Sequence, residues 1–155
     1  MKRNRGFTLL VVCLIMLFSL GVPASAAAES EEAVCIKELK CDVLPDSGAT
    51  EWGKTFTERA FGKINISIPG NTTTAAKSQS FYLEAGETVK INCVYSPDSA
   101  DVDFGLIAPN GAFYYIRATD GNFKESIKVD ERGHYTLTIR NNSSDTVTVM
   151  GYVNY

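Results

Sequence analysis

Thr88-Val89-Lys90-Ile91-Asn92-Cys93-Val94-Tyr95 sets the reading of this chain. Val89, Ile91, Cys93 and Tyr95 share one phase of a two-residue period, and Thr88, Lys90 and Asn92 share the other. Successive side chains of a strand point to opposite faces, so this is a strand with one dry side and one wet side. Upstream, Phe81 and Leu83 begin another strand that turns at Glu84-Ala85-Gly86-Glu87. Before it, Ile64, Ile66 and Ile68 alternate with Lys63, Asn65 and Ser67. Pro69-Gly70-Asn71 ends that strand, and Thr72 to Gln79 reads as a polar loop.

Downstream, a loop at Ser96 to Asp101 leads into the row Val102, Phe104, Leu106. Pro109-Asn110-Gly111 marks a turn, since Asn-Gly tolerates positive φ. The aromatic strand Phe113-Tyr114-Tyr115-Ile116 follows, with a turn at Asp120-Gly121 and then Phe123, Ile127 and Val129. Tyr135, Leu137 and Ile139 alternate with Thr136, Thr138 and Arg140, and Val147, Val149 and Val153 close the chain. Short strands separated by turn signals every ten residues or so predict an all-β domain. The expected architecture is a single β-sandwich or jelly roll of about eight antiparallel strands over residues 61–155.

The chain has 155 residues, 45% hydrophobic and 21% charged, which suits one globular domain. Met1 to Arg5 carries Lys2, Arg3 and Arg5, and an apolar run from Phe7 to Leu20 follows. Gly21 and Pro23 break the run, and Ala24-Ser25-Ala26 and Ala26-Ala27-Ala28 offer small-residue cleavage sites. Residues 1–28 therefore read as a secretory signal peptide, cut after Ala26 or Ala28. The run is too short to span a bilayer, so no membrane span is expected after cleavage. Loss of the leader removes three basic residues and no carboxylate, leaving 12 basic against 18 acidic residues and a net charge of -6. That balance argues against nucleic acid as a partner, while the leader points to a secreted, extracellular protein. Residues 29–60 form a polar lead in which Glu31 to Val43 offers a short helix, and Trp52 has no obvious seat.

Ala85-Gly86-Glu87-Thr88-Val89, Asp101-Val102-Asp103-Phe104-Gly105-Leu106 followed by Pro109-Asn110-Gly111, and Gly133-His134-Tyr135-Thr136-Leu137 stand in that order before a valine-rich final strand. From Phe81 to Tyr155 this pattern resembles the bacterial pre-peptidase C-terminal (PPC) type of β-sandwich. The resemblance implies a β-sandwich fold and an accessory role on secreted proteins, with no catalytic residue carried over. No peptidase pattern accompanies it within these 155 residues, a departure from the usual setting of that family.

Catalysis has little to work with. His134 is the single histidine, and it falls on the polar phase of its strand beside Gly133. No Gly-x-Ser-x-Gly, His-Glu-x-x-His or phosphate-cradling glycine loop occurs. No enzyme activity and no cofactor are expected, with calcium as the one candidate ion. Asp98, Asp101 and Asp103 would supply its hard oxygen ligands, without the glycine spacing of an EF-hand. Cys35, Cys41 and Cys93 are the disulfide candidates, and three thiols leave one unpaired or bridging two chains. A Cys35–Cys41 bond would need a loop or broken helix, because six residues of straight helix set the Cα atoms about 9 Å apart. Cys93 lies on the apolar phase, where a buried thiol is the plain expectation. Tyr114, Ile116 and Tyr152 are the candidates for a ligand face, since rings on an outer sheet stack on sugars or anchor proteins. Two roles follow. One is a secreted binding module for a cell-wall polymer, a glycan or a surface protein. The other is a structural or interaction subunit of the envelope or matrix, joined through edge strands or an intermolecular disulfide.

Overall fold

The computed structural model describes residues 32–44, 61–76 and 80–155. The leader at 1–28 and Trp52 lie outside the described residues. Among the described residues there are eleven strands: β1 (Val34–Cys35), β2 (Lys40–Val43), β3 (Phe61–Ile68), β4 (Thr72–Ala75), β5 (Phe81–Leu83), β6 (Thr88–Ser96), β7 (Val102–Ile107), β8 (Ala112–Ala118), β9 (Asn122–Lys128), β10 (Gly133–Asn141) and β11 (Val147–Asn154). One sheet has the order β1-β9-β6-β11-β3. The other runs β2-β8-β7-β10-β4, with β5 sharing β10. The fold is the all-β sandwich that the alternating rows predict. Its strands are more numerous than eight, and they are not all antiparallel, because β1 lies parallel to β9.

Hydrophobic burial between the sheets holds them together. Val89, Ile91, Cys93 and Tyr95 of β6 are buried, as are Val147, Val149 and Val153 of β11. They meet Val102, Phe104 and Leu106 of β7 and Leu137 and Ile139 of β10. The Phe104 and Phe123 rings stack across the sandwich with centroids 4.3 Å apart. The contact fixes which side of β7 faces inward: Phe104 points to the opposite sheet, so Asp103 and Gly105 point out.

Two expectations of local structure are corrected. Residues 32–43 do not form the α-helix expected over Glu31 to Val43. Ile36–Glu38 forms one 3-10 turn between β1 and β2, and Ile36 is buried while Leu39 is already extended. The apolar residues at 34, 36, 39 and 43 serve two different sheets rather than one helix face. Thr72–Ala75, read as loop, is a strand, because β10 offers its free edge to it from Thr138 to Asn141. The Pro109-Asn110-Gly111 turn forms as predicted. Gly111 has φ +80, its amide donates to the Ala108 carbonyl at 2.9 Å, and Asn110 Oδ1 accepts from the Ala112 amide at 3.0 Å.

Candidate binding face

The two outer faces of the sandwich differ in character. On the six-stranded sheet, register places Asp42, Asp103, Phe113, Tyr115, Arg117 and Arg140 on the outward side. Asp103 is fully buried there. Arg117 Nε donates to its Oδ1 at 2.8 Å. Arg140 Nε and Asn142 Nδ2 each donate to its Oδ2 at 2.8 Å. Arg140 reaches on to Asp42 Oδ2 at 2.8 Å, and its guanidinium lies 4.5 Å from the Tyr115 ring centroid and 5.4 Å from that of Phe113. Burial opposes ionisation of Asp103, but the hydrogen bonds from Arg117, Asn142 and Arg140 outweigh it, and its carboxyl sits below the usual range. This face is internally satisfied and charge-balanced.

Two of the three calcium candidates, Asp101 and Asp103, are engaged by this network. Asp103 spends its oxygens on two guanidiniums and an amide, and Asp101 Oδ1 also lies 3.1 Å from Arg117 Nε. A dication would have to displace both arginines. Among the described residues, no group of three or more His, Cys, Asp or Glu is placed to hold a metal ion.

The face assignment of Tyr114 and Ile116 is corrected too. Tyr114 lies opposite Leu106 and Ile116 opposite Phe104, so both share the side that packs on the core. Phe113 and Tyr115 take the outer side, where they stack on each other at 5.3 Å under Arg140. Ile116 also lines a shallow cleft of about 310 Å³ at the β8–β9 turn, together with Ala118, Asp120, Phe123, Lys124 and Glu125.

The outer face of the five-stranded sheet is different. Met150 pairs directly with Val94, and Tyr152 with Asn92 on one side and Lys63 on the other. Val94 and Met150 are each 51% exposed and Tyr152 is 39% exposed. Asn92 Nδ2 donates to the Tyr152 hydroxyl at 2.9 Å, which fixes the ring beside Met150. Tyr152 is thus the one sequence-predicted face residue on an outer side. Register adds Lys63, Lys90, Lys124 and Lys128 to this face, and no carboxylate among its paired residues. Val94 and Met150 were missed because each occupies the polar phase of its strand. The signal was present as a lone apolar residue out of phase.

Among the described residues Cys35, Cys41 and Cys93 are free thiols. Cys35 lies on β1 in one sheet and Cys41 on β2 in the other. Cys93 is buried as expected, and desolvation pushes its thiol up to about 11 against a weaker opposing hydrogen bond from Tyr152. His134 is exposed and pairs with Tyr82, ring edge to ring face at 5.4 Å. No helix among the described residues is long and apolar enough to cross a membrane.

No family model and no curated protein matches the chain. Among solved structures it is similar to the crystal structure of Aeromonas hydrophila PliG, a periplasmic lysozyme inhibitor of g-type lysozyme. The identity is 17%, the match covers 64% of this chain and 92% of that one, and the TM-score is 0.44.

Proposed function

We propose that the domain is a non-catalytic binding module, acting outside the cytoplasm, that holds an acidic protein surface against the outer face of its five-stranded sheet. The observation that carries this reading is the exposed Val94–Met150–Tyr152 row, set among Lys63, Lys90, Lys124 and Lys128 on the same outer face. The chain as a whole is acidic, so this concentration of one sign on one face runs against its own composition. Exposed apolar side chains rimmed by polar ones are the usual form of a protein contact. One ring beside two aliphatic side chains suits a protein better than a glycan, which would call for stacked rings. A non-catalytic role is supported by the exposure of His134 beside the Tyr82 ring and by the burial of Cys93, whose desolvated thiol is a poor nucleophile.

The test is retention of the chain on immobilised surface proteins, on cell-wall polysaccharide and on purified g-type lysozyme, compared with Met150→Asp and Lys90→Glu. Retention on protein that weakens with salt and is lost in both variants is the expected result. Retention on polysaccharide alone would refute the choice of partner. Protein retention indifferent to both variants would place the contact elsewhere on the domain.

A further inference from the structure

We propose that two copies of this chain join edge to edge through β2, antiparallel about a two-fold axis at Cys41, and that the pair is locked by a Cys41–Cys41 disulfide. This rests on a different surface from the binding face and stands independently of it.

Among the described residues β2 is the outermost strand of its sheet, paired only with β8. An open edge is a template for another strand, and natural edges are commonly blunted by charge. Lysine is the usual blunting residue, and Lys40 is here. But Lys40 comes with Asp42 two residues on, and both lie on the outer side, opposite Tyr115 and Phe113. In the segment Leu39-Lys40-Cys41-Asp42-Val43, apolar, cationic, thiol, anionic and apolar residues follow in order. Laid antiparallel on its own copy with Cys41 at the centre, the segment sets Lys40 opposite the partner's Asp42 and Asp42 opposite the partner's Lys40. Leu39 then faces the partner's Val43. A pattern that repels other edges attracts its own.

Val43 is the most exposed large apolar side chain among the described residues at 86%, and Leu39 is already extended, so the edge needs no refolding to pair. Asp42 holds Arg140 at 2.8 Å yet keeps 44% of its side chain open, room for a second cation. Cys41 is exposed. Residues directly opposite in an antiparallel pair have Cα atoms about 4.5–5.5 Å apart, inside the range a disulfide requires. Each thiol loses one proton and one electron as the S–S bond forms. A small-molecule disulfide such as oxidised glutathione takes up both electrons by exchange and leaves as two thiols.

The test uses the chain as exported, with oxidised glutathione as the oxidant. Non-reducing gels and light scattering follow the dimer. The expected result is a disulfide dimer that Cys41→Ser abolishes while Cys35→Ser leaves it. Lys40→Asp and Asp42→Lys each set like charges opposite one another twice and should slow dimer formation about tenfold. The double variant Lys40→Asp, Asp42→Lys restores opposite charges in reversed order and should recover the rate. Circular dichroism confirms that each variant is folded. Absence of a dimer in the folded wild type overturns the proposal. So does a Cys41 dimer whose rate ignores the charge swaps, because that is collision of exposed thiols and not strand pairing.

Discussion

Asp103→Asn replaces a fully buried carboxylate that two arginines and an asparagine hold. The amide is nearly the same shape, so the change isolates charge and hydrogen-bond polarity. It leaves Arg140 and Arg117 facing a neutral group with two N–H donors of its own. Removing one partner of a buried ion pair costs about 3–5 kcal/mol. Arg117 is 39% exposed on its side chain and recovers part of that loss from water, which sets the expectation near about 3 kcal/mol. At about 5 °C per kcal/mol for a domain of this size, the melting point should fall by about 15 °C. Urea titration followed by far-UV circular dichroism measures the free energy directly. The pH dependence has a defined sign. The folded carboxyl titrates below its usual value, so its stabilisation is complete above the ordinary carboxylate range and drains away as pH falls through the folded value. The gap between wild type and Asp103→Asn should therefore be widest near neutrality and close in acid. A cost under about 1 kcal/mol, or a gap that does not narrow in acid, would refute the view that Asp103 is an anchoring charge.

At pH 8 a thiol reagent should modify Cys41 rapidly and Cys93 only after unfolding, since the Cys93 thiol is buried and titrates at about 11; kinetics by mass spectrometry will separate them. Asn141→Leu should cost about 2–4 kcal/mol in urea titration, because buried Asn141 Nδ2 serves the carbonyls of Ile68, Pro69 and Asp145 and its Oδ1 accepts from the Ser143 amide. Met150→Asp, by contrast, should change stability by less than about 0.5 kcal/mol while abolishing protein retention, so a large fall in melting point would show that Met150 supports the fold.

The strands β3, β6 and β10 were legible because each has one wet side. Lys63, Lys90 and Thr136 declare that side outright. β8 was not legible in the same way. Phe113-Tyr114-Tyr115-Ile116 is apolar on both phases, so a two-residue period says which residues oppose each other and not which pair faces in. The choice is made by a residue on another strand: Phe104 stacks on Phe123, and Ile116 follows it inward through the register. Likewise the spacing of Asp98, Asp101 and Asp103 suggests a ligand cluster, but Arg117 and Arg140 reach Asp101 and Asp103 from neighbouring strands, and spacing along one strand carries no sign of that. Thr72–Ala75 is polar on both phases and becomes a strand only because β10 has a free edge to give. The exposed Val94 and Met150 follow the same logic in reverse, since only pairing across the sheet turns two stray apolar residues into one patch.

The segment from Val34 to Val43 has one more consequence, in the order of assembly. It lays β1 beside β9 and β2 beside β8, with Ile36 buried between and Lys37 tied to Asp130 at 2.6 Å. It thus bridges the two layers along one flank of the sandwich. Its partners lie far down the chain: Val34 has to wait for Ile127, and Cys41 for Tyr114. Contacts of such long sequence separation close late, after the loops between them have given up their freedom. The first part of the domain to be synthesised therefore cannot be seated until β8 and β9 have been made. A chain in which that segment is not yet seated carries β8 and β9 as open edges, and it is in that interval that foreign strands have their chance to add there.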